Sequence, residues 1–390
     1  MISVFCDIVE ILFVWHFQKI MSSEKPTMYF HSQKTFRSYR SENLLSASYV
    51  LWTLLFSSIL FQNTAHAVSL GRYQGARRCM GVTWTVTVFT ETLAEAETVI
   101  TAALNEVTRL EKVLSDYQPN SELCQLSALA PTKVPKQVSK DLWEVLVQAV
   151  AWRDRSRGAF DPTVGVLTDL WRKARQTGQM PSAKERFAVL HSAGPETLKL
   201  NNARRVSLLE PDMRLDLGGI GMGFAIDQAL QVVKNNGVSI AMIDASGDIG
   251  VIGKPPHSDG WRIEIDALGQ KSNKNNRTFK KRFVITLEDA SVTTSGDAFQ
   301  AIEIGGTRYS HIVDPRTGLG VIGSTGVTVI ASDATTADAV ATTLSVLGPD
   351  VGCQFVDKIE GCAARFIWEE DGQFRVRTTS KWASQTTDSL

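Results

Sequence analysis

The fold of this 390-residue chain depends on a stretch near its carboxyl end, residues 291–345, which reads SVTTSGDAFQAIEIGGTRYSHIVDPRTGLGVIGSTGVTVIASDATTADAVATTLS. In it, short β-branched runs alternate with small and hydroxyl-bearing residues. Residues 327–330 predict a short buried strand, and residues 293–297 predict a hydroxyl-rich turn that ends at an aspartate. A helix is predicted to start near residues 335–336.

Two polar residues on this predicted helix indicate a metal site. Asp338 and Thr342 are four residues apart, so their side chains lie on the same face of a helix. A carboxylate and a hydroxyl near a helix start are oxygen ligands of the kind that Mg²⁺ prefers. From the spacing alone, the alternative is a capped helix whose two polar side chains face water.

Three pieces of the stretch resemble the carboxy-terminal half of the ApbE family, the FAD:protein FMN transferases. They are the TSGD turn, the segment HIVDPRTG at 311–318, and the helix ADAVATT after the strand VTVIA. The match is specific because the pieces occur in one order at suitable spacings, and it extends over about residues 80–368. It implies an α+β, T-fold-like ApbE fold. In that fold antiparallel sheets carry packed helices, and a nucleotide cleft lies between two lobes.

The composition excludes several other classes of protein. Lys+Arg and Asp+Glu are both 41, so no basic surplus argues for nucleic acid as a partner. Hydrophobic residues make up 43% of the chain, enough for a sizeable core. The five cysteines contain no CxxC pair, which argues against a zinc ribbon or a thioredoxin-type site. Cys353 and Cys362 are close enough in sequence to form a disulfide in an oxidising compartment.

The amino-terminal region has the pattern of a secretory signal peptide. Basic residues at 34–40 precede an uncharged stretch at 44–61 and an A-x-A site at 65–67. We therefore expect a signal peptide over 1–67, a catalytic domain over 68–390, and export to the periplasm or the outer face of the inner membrane. The alternative is an uncleaved anchor, which would bring the protein into contact with the membrane. The opening segment carries acidic side chains that are unusual in a signal peptide, so a start at a later methionine stays open.

The first half of the predicted domain alternates between regular elements and polar loops. Residues 80–89 predict a strand, and residues 93–114 and 142–156 predict amphipathic helices. The loop after the first helix carries Tyr117, which is either a surface aromatic or a ring on which a planar group stacks. Residues 120–122 in the same loop could begin a further helix. Residues 172–200 are polar and predict no particular structure.

A glycine-rich segment at 214–227, RLDLGGIGMGFAID, is predicted to run from a strand into a helix. Its four glycines let the backbone approach a ligand closely, and amides at a helix start favour phosphate. A Rossmann interpretation is weak, because the glycine spacing does not fit and no βαβ unit opens the domain. Residues 241–250 predict a buried strand and a small-residue turn, with Asp248 either a turn cap or a site residue.

The resemblance assigns roles to residues in each of these segments, and it implies FAD as substrate and Mg²⁺ as cofactor. Met80, Tyr117 and Phe160 are expected to form an apolar and aromatic wall for the nucleotide. The chain departs from the family at Met222, where a lysine is common, so one direct charge contact is missing. The implied residues are Met80, Tyr117, Ala159, Phe160, Asp161, Asp216, Met222 and Val313 for the nucleotide, Gly219, Asp338, Ala341 and Thr342 for the metal, and His311 with Asp314 for catalysis.

The implied reaction is Mg²⁺-dependent transfer of FMN from FAD to a threonine or serine of an acceptor flavoprotein in a membrane redox complex, with release of AMP. The attacking hydroxyl needs a base, for which His311 is the candidate and which Asp314 could orient. On its own, His311 could equally be a strand-end histidine bonded to a backbone carbonyl. An FAD pyrophosphatase that gives FMN and AMP would use the same residues, and a non-catalytic periplasmic flavin-binding protein is a third possibility. Met222 favours the binding protein, whereas the presence of Asp338, Thr342 and His311 argues against it.

Overall fold

The computed structural model describes residues 69–265, 283–296, 301–323, 325–370 and 373–382. All of them belong to Val68–Leu390, the second of the two units into which the chain divides. The predictions for the leader and for Asp297 lie outside the described residues.

The described residues form seven helices and sixteen strands. The helices are α1 Leu93–Leu114, α2 Glu122–Ser127, α3 Lys140–Ser156, α4 Gly165–Thr177, α5 Ala183–Leu190, α6 Gly221–Asn235 and α7 Ala334–Val356. The strands are β1 Gly71–Cys79, β2 Val82–Thr90, β3 Lys136–Gln137, β4 Leu198–Asn201, β5 Arg205–Leu208, β6 Ala241–Ala245, β7 Asp248–Ile252, β8 Trp261–Ile265, β9 Phe283–Leu287, β10 Ser291–Gly296, β11 Ala301–Ile304, β12 Thr307–Asp314, β13 Leu319–Ile322, β14 Thr325–Ala331, β15 Ala363–Glu370 and β16 Gln373–Thr378.

The core is built on an eight-stranded antiparallel sheet in the order β1-β2-β6-β7-β10-β14-β15-β16. Successive side chains of a strand point to opposite faces, and β14 shows this directly. Val327 and Val329 pack in the core with the helices, whereas Ile330 packs with residues of β8 and β9 on the other face. Burying both faces stabilises the sheet by about 1.5–3 kcal/mol for each fully enclosed valine or isoleucine. The predicted α+β fold with antiparallel sheets is confirmed, while the cleft between two lobes stays a prediction.

Helix α7 crosses the sheet and carries the predicted metal ligands. It packs against α6, β10 and β14, and it begins at Ala334, within two residues of the predicted start. Its length and hydropathy would suffice for a membrane span, but 44% of that apolar window is buried inside the protein. The helix is interrupted at Gly348, where φ is 72°, directly before Pro349. Glycine tolerates that left-handed backbone, and the proline cannot donate to the preceding turn.

Helices α6 and α7 approach each other unusually closely at Gly223. A Cβ atom on this residue would lie 2.1 Å from the carbonyl oxygen of Ala334 and 2.9 Å from the Cβ of Asp338. Both distances are too short for any side chain, because the first obstacle is backbone that cannot move aside. A glycine at this position therefore allows the glycine-rich segment to meet the first turns of α7.

The two predicted amphipathic helices are present, whereas one predicted turn is a strand. The helix at 93–114 is confirmed residue for residue, and the helix at 142–156 begins two residues earlier. The predicted turn at 293–297 is wrong over its described part, because Ser291–Gly296 is strand β10 and pairs with β14. Its hydroxyl groups suggested a turn, but threonine is β-branched and suits a strand. The Thr294 and Thr328 hydroxyls lie 3.1 Å apart across this pair.

Two further predictions are corrected. The strand predicted at 80–89 is β2 and begins at Val82 rather than Met80, because Met80 and Gly81 have positive φ and form the turn from β1. Residues 213–217 form no strand; backbone hydrogen bonds to Pro162 and Gly165 hold them instead. The sequence predicted no particular structure for the segment at 172–200. This segment contains the end of α4 and the whole of α5, which starts with a capping box between Ser182 and Glu185.

Candidate active site

The four predicted metal ligands meet where the glycine-rich segment touches α7. The Gly223 amide donates a hydrogen bond of 3.0 Å to Oδ2 of Asp338. A Cβ atom on Gly219 would lie 2.8 Å from the Thr342 hydroxyl oxygen, so the Gly219 backbone is packed against that side chain. Ala341 precedes Thr342 on α7 and is fully buried. Residues more than a hundred positions apart in the sequence therefore share one small region.

The carboxylate of Asp338 also serves as a cap for α6. Ile220 occupies the position before this helix, and its side chain offers no capping hydrogen bond. Helix starts leave their first amides without intrahelical partners, and Asp338 accepts from one of these amides in place of a local cap. The predicted alternative of a side chain that faces water is wrong, because Asp338 is only 5% exposed.

A second carboxylate makes the reverse connection. Asp227 on α6 accepts hydrogen bonds of 2.8 Å from the amides of Ala334 and Thr335, the first two residues of α7. It also accepts a hydrogen bond from the Thr335 hydroxyl. Each helix thus provides an acidic side chain for the start of the other.

The electrostatics of this region fit a bound cation. The pKa of Asp338 is raised to about 7: burial is the largest cause, the Gly223 and Met222 amides lower the pKa, and the charge of Asp227 raises it. Burial also raises the pKa of Asp248 well above its usual range, and the neighbouring charge of Asp338 adds to this shift. A divalent cation would offset the repulsion among these enclosed carboxylates.

The donor set agrees with Mg²⁺ rather than with a softer metal. Its members are one carboxylate, one hydroxyl and main-chain carbonyls, all of them oxygen ligands. Across the described ranges, no group of three or more His, Cys, Asp and Glu side chains is placed to hold a metal. The predicted ligand set contains a single carboxylate, that of Asp338.

Asp248 does not cap the turn between β6 and β7. That turn is closed by Asp244, whose Oδ1 accepts a hydrogen bond of 2.9 Å from the Gly247 amide. Asp248 instead begins β7, where its carboxyl group is close enough to Asp338 for the two charges to interact. The role of Asp248 as a site residue stays a prediction.

Tyr117 lies on the predicted loop, and its side chain is 72% exposed. The Arg172 guanidinium stands over its ring, 4.2 Å from the centroid. Arg172 is itself held by ion pairs with Asp116 and with Asp169, the latter at 2.9 Å. A cation over an aromatic face is attractive and helps to fix the ring. The ring is therefore oriented by α4 while remaining accessible to a planar ligand.

Asp216 connects Arg172 and Tyr117 to the glycine-rich segment. Its carboxylate accepts hydrogen bonds of 2.8 Å from the Gly218 amide and 2.8 Å from the Thr168 hydroxyl. One of its oxygens lies 3.8 Å from the Arg172 guanidinium. Asp216 therefore connects the start of the glycine loop with α4 and, through Arg172, with Tyr117.

The segment that contains Ala159, Phe160 and Asp161 is buried. The Phe160 side chain packs in the main hydrophobic core and presents no open face, so the predicted aromatic wall does not include its ring. Asp161 accepts hydrogen bonds from the amide and hydroxyl of Thr163, at 2.8 and 2.6 Å, and burial raises its pKa. Met80 is partly buried against the same core, and its amide donates to Glu111. Of the three predicted wall residues, Tyr117 alone presents an open ring.

His311 lies on β12, a strand that contacts both α4 and α7. The pairing of β12 with β13 shifts register between Tyr309 and Val313, and such irregularities redirect side chains. The predicted partner Asp314 accepts two hydrogen bonds of 2.9 Å from the Arg316 guanidinium, so its carboxylate is engaged in the following turn. Its role in orienting His311 stays a prediction.

The remaining two predicted nucleotide contacts are apolar. Val313 is buried against Leu167 and Trp171 of α4 in a small separate core. Met222 packs partly buried against the main core, so the position where relatives commonly have a lysine carries no charge. The residues that the sequence analysis missed are Asp116, Asp169, Arg172 and Asp227. Asp227 was visible at the end of the glycine-rich segment, whereas Arg172 lay in a stretch that predicted no structure.

Comparisons with known proteins identify the family that this chain resembles. A family model described as the ApbE family matches residues 80–366. A FAD:protein FMN transferase of Treponema pallidum (strain Nichols) is 31% identical over 297 residues, covering 72% of this chain and 80% of that protein. The FAD:protein FMN transferase of Escherichia coli (strain K12) is 28% identical over 280 residues, covering 70% and 78% respectively.

Solved structures of ApbE flavin transferases are also similar to this chain. The flavin transferase ApbE from Vibrio cholerae superposes with a TM-score of 0.72 at 25% identity, covering 81% of this chain and 99% of that one. The apo form of the Pseudomonas stutzeri flavinyl transferase ApbE gives a TM-score of 0.72 at 26% identity, covering 83% and 99%. The likeness therefore extends over nearly the whole of each solved chain.

Proposed function

This chain belongs to the ApbE family, whose model matches residues 80–366, and we propose that it transfers FMN from FAD to a threonine or serine of an acceptor flavoprotein. The transfer depends on Mg²⁺ and releases AMP. The names of the curated relatives support flavin transfer to a protein. The observation that carries the proposal is the contact between the glycine-rich segment and α7, where Gly219 packs against Thr342 and Gly223 binds Asp338.

We propose that Asp338, Thr342 and the carbonyls of Gly219 and Ala341 hold the ion. Bound Mg²⁺ would neutralise charge on the FAD diphosphate, which lowers the barrier to nucleophilic attack. Tyr117 presents the open ring on which a planar part of FAD can stack.

In the proposed reaction, the acceptor hydroxyl oxygen forms a bond to the phosphorus of the FMN half. The bond from that phosphorus to the bridging oxygen breaks, and AMP leaves with this oxygen. The hydroxyl proton passes to a base, for which His311 is the candidate. Mg²⁺ keeps water in part of its shell, so the two neutral carbonyls matter less for affinity than Asp338.

Met222 supports a second candidate, a non-catalytic flavin-binding protein, because a cation common among relatives is missing there. The contact of Asp338 and Thr342 with the glycine-rich segment favours the transferase, because it gathers oxygen ligands of the kind that Mg²⁺ prefers. The pyrophosphatase alternative would use the same residues with water in place of the acceptor hydroxyl.

We propose that the protein acts outside the cytoplasm, on an acceptor of a membrane redox complex. The support is the leader pattern at residues 34–67, in which basic residues, an apolar run and an A-x-A site follow one another. If the leader stays attached, the same residues would keep the enzyme at the membrane.

Intact mass spectrometry tests the reaction and separates the three candidates. The protein is incubated with FAD and Mg²⁺, with and without a candidate periplasmic acceptor. A transferase adds one FMN moiety to the acceptor and releases AMP. A pyrophosphatase releases FMN and AMP at the same rate without acceptor, and a binding protein leaves FAD intact.

A further inference from the structure

Asp227 lies outside the proposed ligand set, yet it makes a three-bond connection between the two helices that carry the set. Its carboxylate accepts from the amides of Ala334 and Thr335 and from the Thr335 hydroxyl. We infer that Asp227 is a positioning residue that fixes α7 against α6 and so sets Asp338 and Thr342 at the distance from the glycine loop that Mg²⁺ requires. This inference rests on the proposed metal site and extends it to a residue that would not touch the ion.

The two halves of the site lie on different elements of the fold. Gly219 precedes α6, whereas Asp338 and Thr342 lie on α7, so only non-covalent contacts hold the two halves of the site in register. Asp227 is one turn after Gly223 on α6, and Asp338 is one turn after Ala334 on α7. The bond from Gly223 to Asp338 and the bonds to Asp227 therefore fasten the pair at two points. Two separate contacts oppose both sliding and rotation of α7 against α6, whereas a single hydrogen bond would oppose neither strongly.

Helix α7 also has a cap of its own, apart from Asp227. Asp333 is its N-cap and accepts a hydrogen bond of 2.7 Å from the Thr336 amide. A local cap of this kind satisfies the ordinary requirement of a helix start. The bonds to Asp227 are additional, and they come from a different helix. Asp227 is half-buried, and this burial raises its pKa, so placing a second carboxylate here has a cost that supports a role beyond capping.

These two carboxylates give a matched pair of variants. Asp227→Asn and Asp333→Ala each weaken the same helix start, but only Asp227 links it to α6. In Asp227→Asn the oxygen can accept one amide, while the new NH₂ group faces the other amide and cannot bond to it. Removing a residue that orients metal ligands costs about 10–100-fold in metal affinity.

The experiment titrates Mg²⁺ into FAD-free protein by calorimetry and follows thermal unfolding by circular dichroism. We expect Asp227→Asn to weaken Mg²⁺ binding about 10–100-fold, and Asp333→Ala to leave binding unchanged at a similar loss of Tm. Equal Mg²⁺ binding by wild type and folded Asp227→Asn would overturn the inference and leave the metal site standing. A wild type that binds no Mg²⁺ would overturn the metal site as well.

A milder variant keeps the test decisive if Asp227→Asn does not fold. Thr335→Val removes one of the three donors to Asp227 and preserves the side-chain shape. It should weaken Mg²⁺ binding less than Asp227→Asn would, with little change in Tm. Unchanged Mg²⁺ binding in this folded variant would count against the positioning role.

Discussion

Asp227 and Asp338 cap each other's helices. Asp338 on α7 accepts from the Gly223 amide near the start of α6, and Asp227 on α6 accepts from the Ala334 amide at the start of α7. The candidate metal site is thus built on two helix starts locked together. Asp338 is only 5% exposed and accepts from the Gly223 amide, so it takes part in the contact between the two helices. Alanine at this position would leave the α6 start without its cap, so asparagine is the informative replacement.

Tyr117 offers a direct test of flavin binding. Its ring is 72% exposed, with the Arg172 guanidinium over it. If the ring stacks on a planar part of FAD, Tyr117→Ala should weaken FAD binding by roughly 1–3 kcal/mol, as for base–aromatic stacking. Phe187 on α5 is equally exposed at 72%, and Phe187→Ala is the matched control. A fluorescence titration that gives the same Kd for both variants and the wild type would remove Tyr117 from the site.

The pH dependence of stability should report on Cys362. This thiol is buried and free in the structure, and burial raises its pKa from 9.0 to about 11. The unfolded chain therefore loses the thiol proton first as the pH rises. The stability that comes from the protonated thiol is fully present below about pH 9, and up to about 2–3 kcal/mol is lost as the pH rises to about 11.

Chemical denaturation across this pH range measures the loss, with Cys362→Ala as the comparison. Both proteins contain the same lysines and tyrosines, so the difference in slope isolates the thiol. We expect a steeper fall in the free energy of unfolding for the wild type. Identical slopes would contradict a free buried thiol at this position, as would a disulfide between Cys353 and Cys362 found by mass spectrometry without reduction.

The leader prediction concerns residues outside the described structure. Cleavage after Ala67 would give an exported protein that begins at Val68. Amino-terminal sequencing of the protein recovered from the periplasm tests this directly. Recovery of the full-length chain in the membrane fraction would instead support the uncleaved anchor.

The sequence predicted the elements of this fold better than the way they connect. Regular amphipathic spacing predicted α1 to the residue, because a helix of that length repeats its apolar pattern many times. Strand β10 was missed because local propensity gives threonine and serine to turns, whereas its pairing with β14 is a tertiary contact. Asp338 and Thr342 could be found from their spacing and the resemblance. Their burial and the link to Asp227 could not, since both depend on how α6 approaches α7.

Asp338 is proposed to hold the ion on which transfer depends, and Mg²⁺-dependent AMP release from FAD by Asp338→Asn tests this role. Asparagine can still accept from the Gly223 amide, so circular dichroism should show a folded protein with little change in Tm. Losing the charged ligand should lower AMP release more than about 100-fold and remove its Mg²⁺ dependence. Thr342→Val should cost less, because water can replace one neutral ligand. A folded Asp338→Asn protein that releases AMP at the wild-type rate, with unchanged Mg²⁺ dependence, would contradict the proposed role of Asp338 as a metal ligand.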